Sequence, residues 1–112
     1  MELQYSEIEN IRLIKLIGRL DISGVSAIET KFSEYSAGEH PRVVVDLSEV
    51  DFLASIGIRL LTLNAKSIES RGGRMVLLNP KPDVKDVLDI TGIPAIISIY
   101  DDLKSAEAAL MA

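Results

Sequence analysis

The sequence predicts an α/β fold: a mixed β-sheet of about five strands with an N-terminal hairpin, packed with about four α-helices. Short apolar runs rich in branched residues, at 11–17, 43–45, 75–78 and 96–100, have the length and composition of buried strands. Between them the apolar residues recur every three or four positions, the period of an amphipathic helix. Strands and helices alternate in this way when parallel strands are joined by helical crossovers. Only the start departs from the alternation. Leu3 and Tyr5 alternate with polar residues and Glu9-Asn10 supplies a turn, so the first two strands form a hairpin.

Residues 11–17 are apolar on both faces apart from Arg12 and Lys15, as in an inner strand, and Gly18 is expected to end it. From Ser23 the period changes. Val25, Ile28, Phe32 and Tyr35 mark a helix, Ser26-Ala27-Ile28-Glu29 has capping-box spacing, and Gly38 and Pro41 stop it. The apolar strand at 43–45 is expected to end at Asp46 and to pass through a short polar loop into a second helix. That helix runs from about Ser55 to Arg71 and is closed by Gly72-Gly73. After the strand at 75–78, Asn79-Pro80-Lys81-Pro82-Asp83 turns into a third helix with Val84, Val87, Leu88 and Ile90 apolar and Gly92 at its end. A last strand at 96–100 precedes a closing helix, capped by Asp101 or Asp102 and running through Leu110.

Composition narrows the function. The 112 residues suit one domain, 1–112, and a hydrophobic content of 47% excludes wholesale disorder. A net charge of −5 argues against nucleic acid as a partner, because little basic surface is available to neutralise phosphates. With no cysteine there are no disulfides, thiolate metal sites or cysteine nucleophiles. The N-terminus lacks a basic start and an apolar signal core, and no run is long enough to span a bilayer, so a cytoplasmic protein without membrane insertion is expected.

Catalytic constellations are missing as well. The single histidine, His40, sits in a turn and cannot form a metal site by itself. Leu53-Ala54-Ser55-Ile56-Gly57 is not a Gly-x-Ser-x-Gly elbow, and neither Gly18-Arg19-Leu20-Asp21 nor Gly72-Gly73 makes a phosphate-binding loop with its lysine. Asp21, Asp46, Glu49 and Asp51 lie near strand ends and read as caps or solvated loop residues. The expectation is a chain without enzymatic activity, metal or cofactor.

Ser55 is the informative residue. It stands at the first turn of the second helix, where backbone N–H groups are unpaired and the dipole is positive, so it reads as a helix cap at a place that also accommodates a phosphoserine. Along this helix Ile58, Leu61, Ala65 and Ile68 form a stripe for the sheet. Ile56, Leu60 and Leu63 fall on the opposite side, within about 60° of one another. Arg59 and Lys66 flank this second stripe on one side and Asn64 on the other. Such a helix is either sandwiched inside the domain or docks a partner, and Ile56 is the member expected to be accessible.

Four segments share a further pattern: Gly18-Arg19-Leu20-Asp21; residues 43–57, which include Asp46-Leu47-Ser48-Glu49-Val50-Asp51-Phe52 and Ala54-Ser55-Ile56-Gly57; Gly72-Gly73-Arg74-Met75-Val76-Leu77; and Pro82, Val84, Leu88 and Gly92-Ile93. In this order and spacing they resemble the STAS domain (sulphate transporter and anti-sigma-factor antagonist) over nearly the full length. Within that family they resemble the small free-standing anti-sigma-factor antagonists of bacteria. The resemblance implies that a histidine-kinase-like serine kinase, itself the anti-sigma factor, phosphorylates Ser55. The unmodified antagonist would bind that kinase, phosphorylation would break the complex, and a metal-dependent phosphatase of the PP2C type would restore it. Asp21, Ala54, Ser55, Ile56, Gly57, Arg59 and Leu60 would form the partner surface. The chain departs from the family pattern twice: Ala54 replaces an aspartate, and Ile56 stands where serine is frequent. Ala54 removes a charge and leaves the acceptor hydroxyl in place. An alternative within the same family is a STAS module serving a response-regulator pathway, a stress-signalling scaffold or a membrane transporter.

Overall fold

Alternating exposure along Glu2–Ile8 (β1) marks an edge strand, which folds back through Glu9-Asn10 onto Ile11–Leu20 (β2) with Ile8 opposite Ile11. Glu9 takes a left-handed conformation (φ 56°) that makes the turn tight. The structure, a computed structural model, describes residues 1–112. Beyond the hairpin come α1 (Ile22–Tyr35), β3 (Arg42–Leu53), α2 (Ser55–Ser70), β4 (Arg74–Leu78), α3 (Pro82–Ile90), β5 (Ile99–Tyr100) and α4 (Leu103–Met111). The five strands lie in the order β1-β2-β3-β4-β5, antiparallel between β1 and β2 and parallel thereafter. The expected mixed sheet with a leading hairpin and four helices is therefore present.

Helices α1, α2 and α3 cover one face of the sheet and enclose the larger core, in which Phe32, Leu47, Leu61, Ile68 and Leu88 are fully buried. On the other face α4 sets Ala106 and Leu110 against Ile11, Val44, Val76 and Leu78. The C-terminal end of α1 is held by two guanidiniums. Arg12 donates to Tyr35 O and Ala37 O at 3.1 and 2.6 Å, and Arg71 donates to Ser36 O and Gly38 O at 2.9 and 2.6 Å. The carbonyls of Tyr35 and Ser36, at the end of the helix, would otherwise lack helical partners.

Several boundaries differ from expectation, each for a tertiary reason. β2 does not end at Gly18 but runs to Leu20, with a register shift against β3 between Gly18 and Arg19. Gly18 (φ 115°) permits that irregularity. The cap of α1 is Asp21, not the Ser26–Glu29 box, whose two ends are exposed within the helix. The segment after Asp46 is not a loop. β3 continues to Leu53 because β2 remains beside it, pairing Glu49 with Ile17 and Leu53 with Leu20. The last strand shrinks to Ile99–Tyr100, preceded by a 3₁₀ turn over Ile93–Ala95 that contains Pro94. Ile90 is 85% exposed instead of joining Val84 and Leu88 in the core. Of the two candidate caps for α4, Asp102 serves, accepting from Ser105 N at 2.8 Å.

Candidate functional site: the first turns of α1 and α2

β2 and β3 end side by side, Leu20 opposite Leu53, and Ala54 N donates to Leu20 O at 3.0 Å. The two helices that follow therefore begin next to each other at one end of the sheet. At the start of α1, Asp21 Oδ1 accepts from Gly24 N at 2.8 Å, and Arg19 Nε donates to Asp21 Oδ2 at 3.4 Å while its guanidinium lies 4.3 Å above the Phe52 ring. The Gly24 N–H bond, with help from Arg19, holds the Asp21 carboxyl below its ordinary pKa against a smaller opposing effect of desolvation. A group depressed in the folded state stabilises it above the unfolded-state pKa, and that contribution is lost as pH falls through the lowered value. Asp21→Ala should therefore lower the thermal midpoint near neutrality. The gap from wild type should narrow as pH falls below the ordinary aspartate range; a gap that does not change with pH would show that the carboxylate charge is not what matters.

α2 begins differently. Its cap position is Ala54 (φ −91°, ψ 169°), which offers no side-chain acceptor. Ser55 is one residue further in, the first helical residue, and is exposed. It is therefore not the cap that its position in the sequence suggests. Ala54 O accepts from Gly57 N and Ile58 N at 2.9 and 3.1 Å, which starts the helix from the backbone alone. Gly57 is buried: a Cβ there would lie 2.8 Å from Leu53 Cδ1 and 2.9 Å from Leu20 O, so its place is in the seam between α2 and the strand ends.

The second apolar stripe of α2 is split between the two fates open to it. Leu60 is only 7% exposed and belongs to the core, whereas Leu63 is 53% exposed and Ile56 is half-buried. Leu63, not Ile56, is the accessible member. Between α1 and α2 runs an open groove of about 1030 Å³, with Val25, Ile56, Leu60 and Leu63 as its apolar lining. Glu29 and Glu34 line it from α1, and Arg59 and Ser55 from α2. Of the residues expected to meet a partner, Ser55, Ile56, Arg59 and Leu60 thus share this groove, Asp21 and Ala54 adjoin it at the helix starts, and Gly57 lies beneath. Sequence reading missed Ile22 and Phe52, which are 73% and 41% exposed at the same end of the sheet. It also missed the α1 wall. The stripe pattern already contained Leu63; nothing local marks Ile22 or Phe52 as exposed.

The remaining chemistry is structural. His40 sits at the opposite end of the sheet, where its backbone N–H donates to Arg71 O at 2.8 Å. Asp46 accepts from Ser48 N at 2.9 Å, Glu49 pairs with Lys15 at 2.6 Å and Asp51 with Lys81 at 2.5 Å. No group of three histidine or carboxylate side chains is placed to hold a metal ion. No helix is long and apolar enough to cross a membrane.

Comparison with known proteins identifies the family. The model of the STAS domain matches residues 2–106. BtrV of Bordetella bronchiseptica, a provisionally assigned anti-sigma factor antagonist, is 28% identical over 109 residues, which cover 97% of this chain and 94% of BtrV. The anti-sigma F factor antagonist of Lysinibacillus sphaericus is 30% identical over 82 residues, covering 72% and 70%. The fold is that of the anti-sigma factor antagonist SpoIIAA of Bacillus. Its unphosphorylated form superposes with a TM-score of 0.78 at 23% identity over 99% of this chain and 98% of the other. Its phosphorylated form gives 0.70 at 22% identity over 96% and 99%. On the domain match and the extent of these likenesses, the chain belongs to the STAS domain family, among the anti-sigma factor antagonists.

Proposed function

We propose that this chain is a partner switch operated at Ser55. Unmodified, it binds an anti-sigma factor that is also a histidine-kinase-like serine kinase, and so frees the sigma factor. Phosphorylation of Ser55 by that kinase ends the complex, and a PP2C-type phosphatase returns the chain to its binding form. The observation that carries this reading is the placement of Ser55: an exposed hydroxyl on the first residue of α2, one position past an uncapped helix start, opening onto the α1–α2 groove.

Physical chemistry supports each half of the switch. A phosphoserine brings about −1.5 to −2 charges at neutral pH. The fold tolerates this at a helix start, where unpaired N–H groups and the dipole favour an anion. An interface does not, because the same charge beside Ile56 and Leu63 would have to be desolvated against apolar surface. Ala54, standing where the family has an aspartate, places no charge directly before Ser55, so the phosphate would be the first anion at the start of α2. The ATP and its metal belong to the kinase, which accounts for a serine with no base beside it.

Labelling tests the proposal. Incubated with the anti-sigma factor kinase of its own organism and Mg-ATP, the chain should take up one phosphate on Ser55, and Ser55→Ala should take up none. Thr62 is a poor rival because its hydroxyl already donates to Ile58 O at 2.8 Å, and Ser48 is only half-exposed within β3. Mass-spectrometric assignment of the label to either residue would sink the reading.

A further inference from the structure

Arg59 stands four residues after Ser55 on α2, and both border the groove between α1 and α2. Residues four apart share a helix face, and an anion N-terminal to a cation at this spacing is the favourable order. Arg59 is exposed and enters none of the ion pairs of the chain, which are Lys15–Glu49, Arg19–Asp21, Lys81–Asp51 and Lys85–Asp89. Four of the other five arginines are committed elsewhere: Arg19 to Asp21 and Phe52, Arg12 and Arg71 to the end of α1, and Arg74 to Ala109 O and Ser98 Oγ; the fifth, Arg42, is at the far end of β3 from Ser55. Arg59 is the sole cation lining the groove, across from the acidic Glu29 and Glu34 of α1.

We infer that Arg59 is the intramolecular counter-ion of phosphorylated Ser55, turning toward the helix start to hold the phosphate through its guanidinium. This rests on Ser55 being the phosphoacceptor. A guanidinium presents two parallel N–H donors that match phosphate oxygens, which makes it a stronger partner than a point charge. Before modification Arg59 is an unpaired cation on the α2 wall, open to a carboxylate of a docked protein. After modification its charge is taken by the phosphate. Phosphorylation therefore changes the groove twice: it adds an anion at the mouth and withdraws the one cationic contact from the wall. Arg59 is a positioning residue of the switch, acting through the phosphate. Glu29 and Glu34, facing the groove from α1, work in the opposite direction on the phosphate, and Asp21 is engaged by Arg19.

Phosphoserine introduced at position 55 during translation makes the test independent of any kinase. Its second ionisation is followed by phosphorus NMR through a pH titration, in the otherwise wild-type chain and in R59Q. A nearby cation favours the dianion, so the pKa should be lower with Arg59 present, by at least ~0.3 units. The difference should vanish in about 1 M salt, and R59K should keep part of it. Superimposable titrations of wild type and R59Q overturn the inference, as does a difference that salt leaves untouched. Failure of the kinase labelling described above would instead remove the proposed function, while the coupling between phosphate and Arg59 would still be read directly.

Discussion

Ser55→Asp is expected to weaken binding of the anti-sigma factor at least a hundredfold while leaving the fold intact. The two halves of this result have separate causes. Within the chain the new carboxylate sits on the first residue of α2, where Ala54 provides no side-chain acceptor and the helix dipole welcomes a negative charge. Thermal stability should therefore match or slightly exceed that of wild type. Across an interface, the carboxylate would be pressed against a surface formed around Ile56 and Leu63, with Glu29 and Glu34 along the same groove. Burying a charge in such a place is costly even where Arg59 answers it, because Arg59 is then lost to the partner, and a loss of about 2.7 kcal/mol already corresponds to a hundredfold in affinity. Titration calorimetry against the anti-sigma factor, paired with thermal melts of both forms, measures the two halves independently. Equal affinities for wild type and Ser55→Asp would show that charge at this position is not the switch.

Gly24→Ala is expected to destabilise the chain by about 3 kcal/mol, the upper end of what overpacking typically costs. Gly24 is buried in the first turn of α1, and its N–H donates to Asp21. A Cβ added there would fall inside the van der Waals envelope of the Arg19 carbonyl oxygen, which is backbone and cannot rotate away. Relief requires α1 to lift from the end of β2, which breaks the Asp21 cap and moves the α1 wall of the groove. Set against a stability of roughly 5–15 kcal/mol for a small domain, this is a large fraction. Urea denaturation followed by circular dichroism should show a lower midpoint with an unchanged slope. A midpoint equal to wild type would mean that the helix start does not approach the strand as closely as described.

The sequence carried more of the architecture than of the surface. Branched apolar runs and three-to-four spacing located every helix and the inner strands, because burial imposes its period directly on residue type. Local signals misled where a tertiary neighbour overrode them. Ser48, Glu49 and Asp51 look like loop residues, yet they lie in β3 because β2 supplies hydrogen-bonding partners along its length. Ser26 has the spacing of a cap, but the strand end delivers the chain to α1 five residues earlier, at Asp21. The same kind of shift, by one residue, makes Ala54 the cap position of α2 and leaves the Ser55 hydroxyl free.

Residue type and spacing alone determined that this chain is an α/β protein, that a serine stands at the head of its second helix, and that this helix has two apolar faces. Only the tertiary structure decided how that second face is shared. α1 packs close enough to bury Leu60 and not far enough along to cover Leu63, so one stripe in the sequence becomes both core and open groove. That division depends on the distance between two helices, which the core volume sets and no local pattern encodes.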